Sequence, residues 1–264
     1  MTKVNDIMIN EIIKLKKMGI SIANIASKLD ISDRTVLKYS KTFPHPNRKS
    51  LILNPKSATG LSIEKAEILG LLCAEGNNDD FIDNYIEYDK RRGKSYMRNN
   101  KREWIDFSNM NRTLQEHFIQ LMINVYNYPL KFYKKGSSYI QRKEVVRDLR
   151  KYTQFGSRMW SVPKELFLEQ YEWHARAFLR GYMDGDGSIT IKRKLISVDS
   201  VNKNTLKEVN KLFNQTGIGT VYYTFETRSR VVIKDLQSYE EFIGFVHPDK
   251  KYTLSSINKS ITRS

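Results

Sequence analysis

Phe178-Leu179-Arg180-Gly181-Tyr182-Met183-Asp184-Gly185-Asp186-Gly187 is the stretch on which the fold turns. An apolar run of helical character ends in two acids separated by glycine, and the strand-like Ser188 to Lys192 follows at once. Gly181 and Gly185 stand four apart, so both fall on one helix face, where a second helix can come close. Gly187 is placed to take the positive φ that stops a helix. Asp186 then lies at the negative end of the helix dipole, a poor position for an anion unless a cation joins it.

The pattern occurs twice. Ile68-Leu69-Gly70-Leu71-Leu72-Cys73-Ala74-Glu75-Gly76 matches Leu179 to Gly187 position by position: Gly70 with Gly181, Ala74 with Gly185, Glu75 with Asp186. The two acids are 111 positions apart, so each motif heads a repeat of roughly domain size. If the helices pack through their small faces, Glu75 and Asp186 meet at one end of the pair. This duplicated spacing resembles the LAGLIDADG homing endonucleases of the monomeric, two-motif type, and the resemblance covers about residues 62–264.

The resemblance implies an α+β fold: two pseudo-symmetric αββαββα repeats, 62–165 and 166–264, forming a DNA-binding saddle in a monomer. It implies that Glu75 and Asp186 ligate metal, helped by the backbone carbonyls of Ala74 and Gly185. Asp184 faces Cys73 in the alignment and is not counted as a ligand. The family also places basic residues near the scissile phosphates after each repeat's last helix; by position these are Lys250 and Lys251 in the second repeat and Arg158 in the first. His247 reads as a loop residue rather than a base.

The chemistry suits such a pair. Phosphodiester hydrolysis needs an activated water and stabilisation of charge on the phosphate and the departing oxygen, which divalent metals supply. Oxygen ligands at helix ends suit Mg²⁺, with Mn²⁺ as a substitute and Ca²⁺ expected to bind without efficient cleavage. Two acids on a pseudo-two-fold axis match the symmetry of duplex DNA, one acid per strand. The expected activity is therefore site-specific, double-strand DNA cleavage at a long target by a metal-dependent endonuclease. The alternative is a non-cleaving transcriptional regulator or intron-splicing cofactor on the same scaffold, although a regulator has no need of both acids.

Charge agrees with a nucleic-acid partner: 45 Lys plus Arg oppose 29 Asp plus Glu, a net +16. Hydrophobic content of 40% supports two or three domains with real cores. The single cysteine excludes an internal disulfide and fits a reducing compartment. No apolar run approaches the ~20 residues of a membrane span and no signal peptide is evident, so an intracellular location is expected, cytoplasmic or nucleoid, or organellar in a eukaryote.

Upstream of the repeats, residues 4–18 read as an amphipathic helix. Ile22 to Tyr39 reads as helix, tight turn at Asp30, and second helix capped by Ser32. Ala26 is small where helices cross, and Ile31 and Val36 face inward. That pattern looks like a helix-turn-helix, a DNA-binding domain over 1–46 carrying eight basic and four acidic side chains. Its second helix would present Arg34, Thr35, Lys38 and Lys41 to a major groove. Prolines, asparagines and glycine make 47–61 a linker.

Within the repeats, Tyr85–Asp89 and Trp104–Ser108 alternate like paired strands. The intervening 90–102 holds seven cations and no acid and reads as a phosphate-gripping loop, with Arg91, Arg92, Lys94 and Arg98 as candidates. Helices are expected over 114–126 and 143–152, with a hairpin from 130–133 and 138–141 between them. The second repeat shows strands at 188–193, 195–201, 220–226 and 229–234, helices at 205–216 and 239–246. Alternation turns Ile189, Ile191, Ile196 and Val198 toward the helices, and Ser188, Thr190, Lys192 and Ser197 outward to read bases. Tyr133, Lys135, Tyr139, Gln141, Tyr222, Thr224, Arg228 and Arg230 are further outward candidates.

Overall fold

The computed structural model describes residues 6–17, 22–40, 60–89, 93–133 and 136–261. The chain separates into two compact units, Met1–Ile52 and Leu53–Ser264. Among the described residues no helix is long and apolar enough to cross a membrane.

The first unit holds three short helices, Asp6–Lys17 (α1), Ile22–Lys28 (α2) and Asp33–Ser40 (α3). Helices this short are marginal alone, so packing carries them. Ile12, Leu15, Ile25, Ala26 and Val36 form their shared core, with Ile31 packed against it. The chain turns between α2 and α3 through Asp30 at φ 50°, a left-handed conformation that aspartate tolerates. Ser32 Oγ then accepts the Thr35 amide at 3.2 Å and starts α3. Lys41 and most of the stretch read as a linker lie outside the described residues.

The second unit is built on two helices, Ile63–Glu75 (α4) and Glu172–Asp186 (α7). Every α4 residue from Lys65 to Cys73 is buried, as expected of a helix apolar on nearly all sides. The glycines explain how the two backbones come so close. A Cβ on Gly70 would overlap the Phe178 carbonyl and lie 2.9 Å from the Tyr182 nitrogen. A Cβ on Gly181 would overlap the Glu67 carbonyl and lie 2.9 Å from the Leu71 nitrogen. Each helix thus presents its glycine to the other's backbone, and Gly185 meets Ala74 and Glu75 further along.

Both helices end alike: the Gly76 amide donates to Leu72 O, and the Gly187 amide to Met183 O at 3.0 Å. The positive φ expected at Gly187 is not found; it is extended, with φ −68° and ψ 145°. Glycine is needed there for space, since a Cβ would run into the Met183 carbonyl and lie 2.8 Å from its Cε.

Buried charge fixes the pair laterally. Arg180 of α7 forks onto Glu67 of α4 (2.9 and 2.5 Å), and His117 Nε2 lies 2.7 Å from the same carboxylate. Burial pushes Glu67 up, but these partners outweigh it and hold the acid below its ordinary pKa. Two residues before Glu67, the fully buried Lys65 donates to Asp148 at 2.7 Å, and the Tyr126 hydroxyl donates to the same oxygen at 2.9 Å. Removing one partner of such a pair costs ~3–5 kcal/mol, because it strands the other charge.

After α4 come Gly76–Asp89 (β1), Lys94–Ser108 (β2), Arg112–Tyr126 (α5), Ser137–Ile140 (β3) and Lys143–Arg150 (α6). After α7 come Ser188–Thr190 (β4), Leu195–Ser200 (β5), Lys203–Gln215 (α8), Thr220–Thr224 (β6), Ser229–Ile233 (β7), Leu236–Phe242 (α9) and Pro248–Ile261 (α10). The sheets are antiparallel, ordered β1-β2-β3 and β4-β5-β7-β6. The α+β class expected from the sequence is thus the class observed, and one core joins both halves.

Several element expectations are corrected. The first hairpin is far longer than read: Gly76 pairs with Phe107 and Asp89 with Lys94, so most of the basic stretch lies in strand, not loop. Only 130–133 of the expected second hairpin lacks strand structure; Tyr133 is tied to Ser137 O at 2.9 Å through a turn, so this half reads αββαβα. In the second half β4 stops at Thr190 and a 3-10 turn, Ile191–Arg193, takes over. Ile191, expected inward, is therefore 63% exposed, because the turn breaks the alternation. The helix expected over 239–246 lies at Leu236–Phe242, and α10 follows it unforeseen.

Candidate functional site

The helix pair delivers Glu75 and Asp186 to one place. A Cβ on Gly185 would lie 2.9 Å from Glu75 Cγ, so the Glu75 side chain rests directly on the residue before Asp186. Both carboxyls resist ionisation. Burial raises Asp186, the neighbouring Glu75 charge adds to it, and Lys250 only partly offsets them, leaving its pKa at about 7. Asp186 is exposed as a residue, so this burial is local, from the helix ends packed around it rather than from full enclosure, and the Glu75 charge adds to it. Glu75 is also raised, by burial, against a 2.8 Å hydrogen bond from Asn109 Nδ2 and the charge of Lys250.

The cation called for at the end of α7 is Lys250. Its ammonium donates to the carbonyls of Met183 (3.0 Å), Asp184 (2.6 Å) and Gly185 (3.2 Å), which are among the last carbonyls of that helix. Burial lowers its pKa, while Asp184, Asp186 and Glu75 push the other way. Asp184 has a separate task. Its buried carboxylate accepts the amides of Val246 (3.0 Å to each oxygen) and His247 (2.9 Å), pinning the turn that leads into α10 and hence Lys250.

Arg158 and Lys251 are exposed, and among the described residues no hydrogen bond or ion pair joins either to the acids. Asn109 was missed. An asparagine at a strand-to-helix junction reads as a turn residue, and its hold on Glu75 exists only once β2 and α4 are packed together.

The donor set fits a hard divalent cation: two carboxylates, one with its proton affinity raised by the other. The Gly185 carbonyl carries the Lys250 ammonium. Among the described residues no group of three or more His, Cys, Asp or Glu gathers into a metal cluster. Further coordination would have to come from phosphate oxygens and water, the usual way Mg²⁺ is held on one or two carboxylates.

Strand register decides the outward face of the second sheet. Ile196 pairs with Ile233 and Val198 with Val231, all buried, so the alternate rows face away from the core: Ser188, Thr190, Leu195, Ser197, Asp199, Val221, Tyr223, Arg230 and Val232. Ser188 and Thr190 lie on the expected side. Ser197 does too, but is only 5% exposed, sunk between Ser188 and Val232. Tyr222 faces inward instead: it pairs with Val231, packs on the core, and its hydroxyl bonds Lys203 O (3.0 Å) and Ser229 Oγ (2.9 Å). Thr224 shares its parity, though it is exposed at the strand end. The reading of β6 was thus one residue out of register, and Val221 and Tyr223 are the outward residues. Lys192 sits exposed on the 3-10 turn, and Arg228 just before β7.

In the first sheet Ile105 and Phe107 are buried and pair with Ile140 and Ser138, which leaves Asp106 and Tyr139 on the other face. Tyr139 joins Trp104 (6.3 Å between ring centroids) and the exposed Tyr133 (5.6 Å) in an aromatic cluster. Gln141 is exposed just past β3. Lys94 and Arg98 lie in β2, but their side chains are outside the described set, as are Arg91, Arg92 and Lys135 altogether. In the first unit, Arg34 and Lys38 are exposed on α3 and Thr35 is half-buried, its hydroxyl 2.9 Å from Ser32 Oγ.

The class defined by this geometry is an α+β protein in which two glycine-packed helices end in a shared acidic site beside antiparallel sheets. Residues 173–244 match the family described as LAGLIDADG-like domain. Among curated proteins, the chain is 30% identical over 105 residues to a probable translation initiation factor IF-2 of Thermococcus kodakarensis, covering 39% of this chain and 9% of that protein. It is 26% identical over 215 residues to a DNA polymerase of Methanocaldococcus jannaschii, covering 76% and 12%. The chain therefore spans about a tenth of the length of these relatives. Among solved structures, I-DmoI in complex with DNA and Mn is similar at 17% identity and a TM-score of 0.44, covering 70% of this chain and 97% of that one. Full-length DUF199/WhiA from Thermatoga maritima is similar at 18% identity and a TM-score of 0.47, covering 81% and 66%.

Proposed function

We propose that this protein is a site-specific double-strand DNA endonuclease that uses divalent metal, Mg²⁺ with Mn²⁺ as substitute. The observation that carries the reading is that both acid-terminated helices are kept, and their glycine packing puts Glu75 and Asp186 together beside Lys250. The LAGLIDADG-like match over 173–244 supports it. Glu75 and Asp186 would hold the metal, with the Ala74 carbonyl. Bound there, it would supply an activated water and neutralise charge building on the attacked phosphate. Asn109 orients Glu75, Asp184 anchors the turn that delivers Lys250, and Lys250 keeps positive charge where phosphate must approach two anions. The three-helix unit acts as a helix-turn-helix reader through Arg34, Thr35, Lys38 and Lys41. Repeats 62–165 and 166–264 act as a monomeric, pseudo-symmetric pair on duplex DNA.

The exposed Arg34 and Lys38 on α3 also favour a second reading, a DNA-binding regulator that does not cut. One experiment separates the two. Glu75→Gln and Asp186→Asn keep shape and remove charge, so DNA binding should persist while cleavage falls by several orders of magnitude, the loss of several kcal/mol of transition-state stabilisation. Ca²⁺ should support binding without efficient turnover. A cognate duplex that wild-type protein binds tightly yet leaves intact in both Mg²⁺ and Mn²⁺ would overturn the nuclease reading and favour the regulator.

A further inference from the structure

Asp199, Arg230 and Tyr223 form a row across the outward face of β5, β7 and β6: Asp199 is the cross-strand partner of Arg230, and Arg230 of Tyr223. Arg230 Nε donates to both Asp199 oxygens, at 3.0 and 3.1 Å, and its Nη2 lies 2.9 Å from Oδ2. The carboxylate raises the Arg230 pKa further by hydrogen bonding, so the guanidinium stays charged. Phe225 lies beside it, with the guanidinium carbons of Arg228 and Arg230 5.8 and 6.0 Å from its ring centroid. Asp199 is the single acid on the outward rows of this sheet among the described residues.

That placement is hard to explain as stability, because a half-exposed ion pair contributes little. It is also costly for general attraction to DNA. An acid on a phosphate-facing sheet repels, and an arginine it neutralises releases few counterions. What the pairing does supply is direction. A guanidinium has five N–H donors in a rigid fork. With Nε–H and one Nη2–H committed to Asp199, the other Nη2–H and one Nη1–H stay parallel at the end of the fork, in a fixed plane. Guanine shows two adjacent acceptors, O6 and N7, to the major groove, and a forked arginine is their usual partner.

Resting on the DNA-reading role proposed above, we infer that Arg230 and Asp199 are one specificity unit: Asp199 holds the arginine fork off the phosphates so that it selects guanine at one position of the target. Arg228, which approaches the same carboxylate only at 3.6 Å and is more exposed, is the phosphate-facing cation of the pair. Tyr223 closes the row on the far side and limits where the arginine can swing.

The test is selection of bound sequences from a randomised duplex library in Ca²⁺ buffer, using the full chain and its Arg230→Lys, Arg230→Gln and Asp199→Asn variants, each checked for folding by circular dichroism. Wild-type protein should enrich a motif with a guanine column that weakens about tenfold or more in Arg230→Lys, which keeps charge but loses the fork. Arg230→Gln should erase that column, and Asp199→Asn should blur it. Asp199→Asn should also steepen the dependence of log affinity on log salt for an unselected duplex by about one, as the freed arginine takes a phosphate. A wild-type motif whose guanine columns are unchanged in Arg230→Lys and Asp199→Asn would overturn the inference while leaving DNA reading intact. Absence of any wild-type motif would overturn DNA reading itself, and the inference with it.

Discussion

Asp186 holds its proton up to about pH 7 because burial and the Glu75 charge both oppose ionisation. In the unfolded chain an aspartate loses it near its ordinary value of about 3.9. The folded state therefore binds this proton more tightly, and the stability it contributes is full below the ordinary value and lost as pH rises through about 7. Melting in EDTA should show a fall in Tm from about pH 5 to about pH 8 that is shallower in Asp186→Asn; identical slopes would show that the folded state does not raise the Asp186 pKa. At the alkaline end, Mg²⁺ or Mn²⁺ should recover Tm in wild type and much less in Glu75→Gln. The two acids were legible because their partners are neighbours in a short motif, Gly70 to Glu75 and Gly181 to Asp186. Lys250 was reached only through resemblance, and its actual seat on the Met183, Asp184 and Gly185 carbonyls was not legible. Asn109 left no trace at all, since its role arises from packing between elements distant in sequence.

Helix packing and strand register behave differently as sources of information. A glycine at a helix crossing leaves a signal wherever it falls, because any side chain there collides. Gly70→Ala and Gly181→Ala should each destabilise by ~1–3 kcal/mol or more, since the added methyl meets opposing backbone that cannot step aside. Gly219→Ala, with open space around it, should change stability by far less, and denaturant titration compares the three. Register carries no such redundancy. In Tyr222-Tyr223-Thr224 successive residues are alike in chemistry, so nothing in the alternation told Tyr222 from Tyr223, and hydrogen-bonding to Lys203 O and Ser229 settled it. Tyr222→Phe should lose ~0.5–1.5 kcal/mol of stability per hydrogen bond with little effect on DNA affinity. Tyr223→Ala should do the reverse; a stability loss at Tyr223 with none at Tyr222 would put the register back where the sequence suggested. The long β1–β2 ladder escaped for a related reason: its middle is too charged to alternate, and only pairing with β1 reveals it as strand.

At the scale of the whole chain, the proposed DNA-reading role makes two features measurable, the net charge of +16 and the division into two compact units. Each phosphate neutralised makes the fall of log affinity with log salt steeper by about 0.9, so a chain with this surplus should show a slope well beyond that of a few contacts. The first unit has its own core of Ile12, Leu15, Ile25, Ala26 and Val36, so its removal should not unfold the second. If α3 reads DNA, deleting residues 1–52 should weaken binding, shorten the protected footprint and flatten the salt slope. Cutting of whatever is still bound should persist, because Glu75, Asp186 and Lys250 all lie in the second unit. Arg34→Ala and Lys38→Ala in the full chain discriminate further. A residue on a base edge should cost ~1–3 kcal/mol on its preferred sequence alone, whereas one on phosphate should weaken all sequences alike and lower the salt slope by about one. A footprint and slope unchanged by the deletion would mean that the three helices serve something other than DNA, while the acid pair would keep its own, separate test.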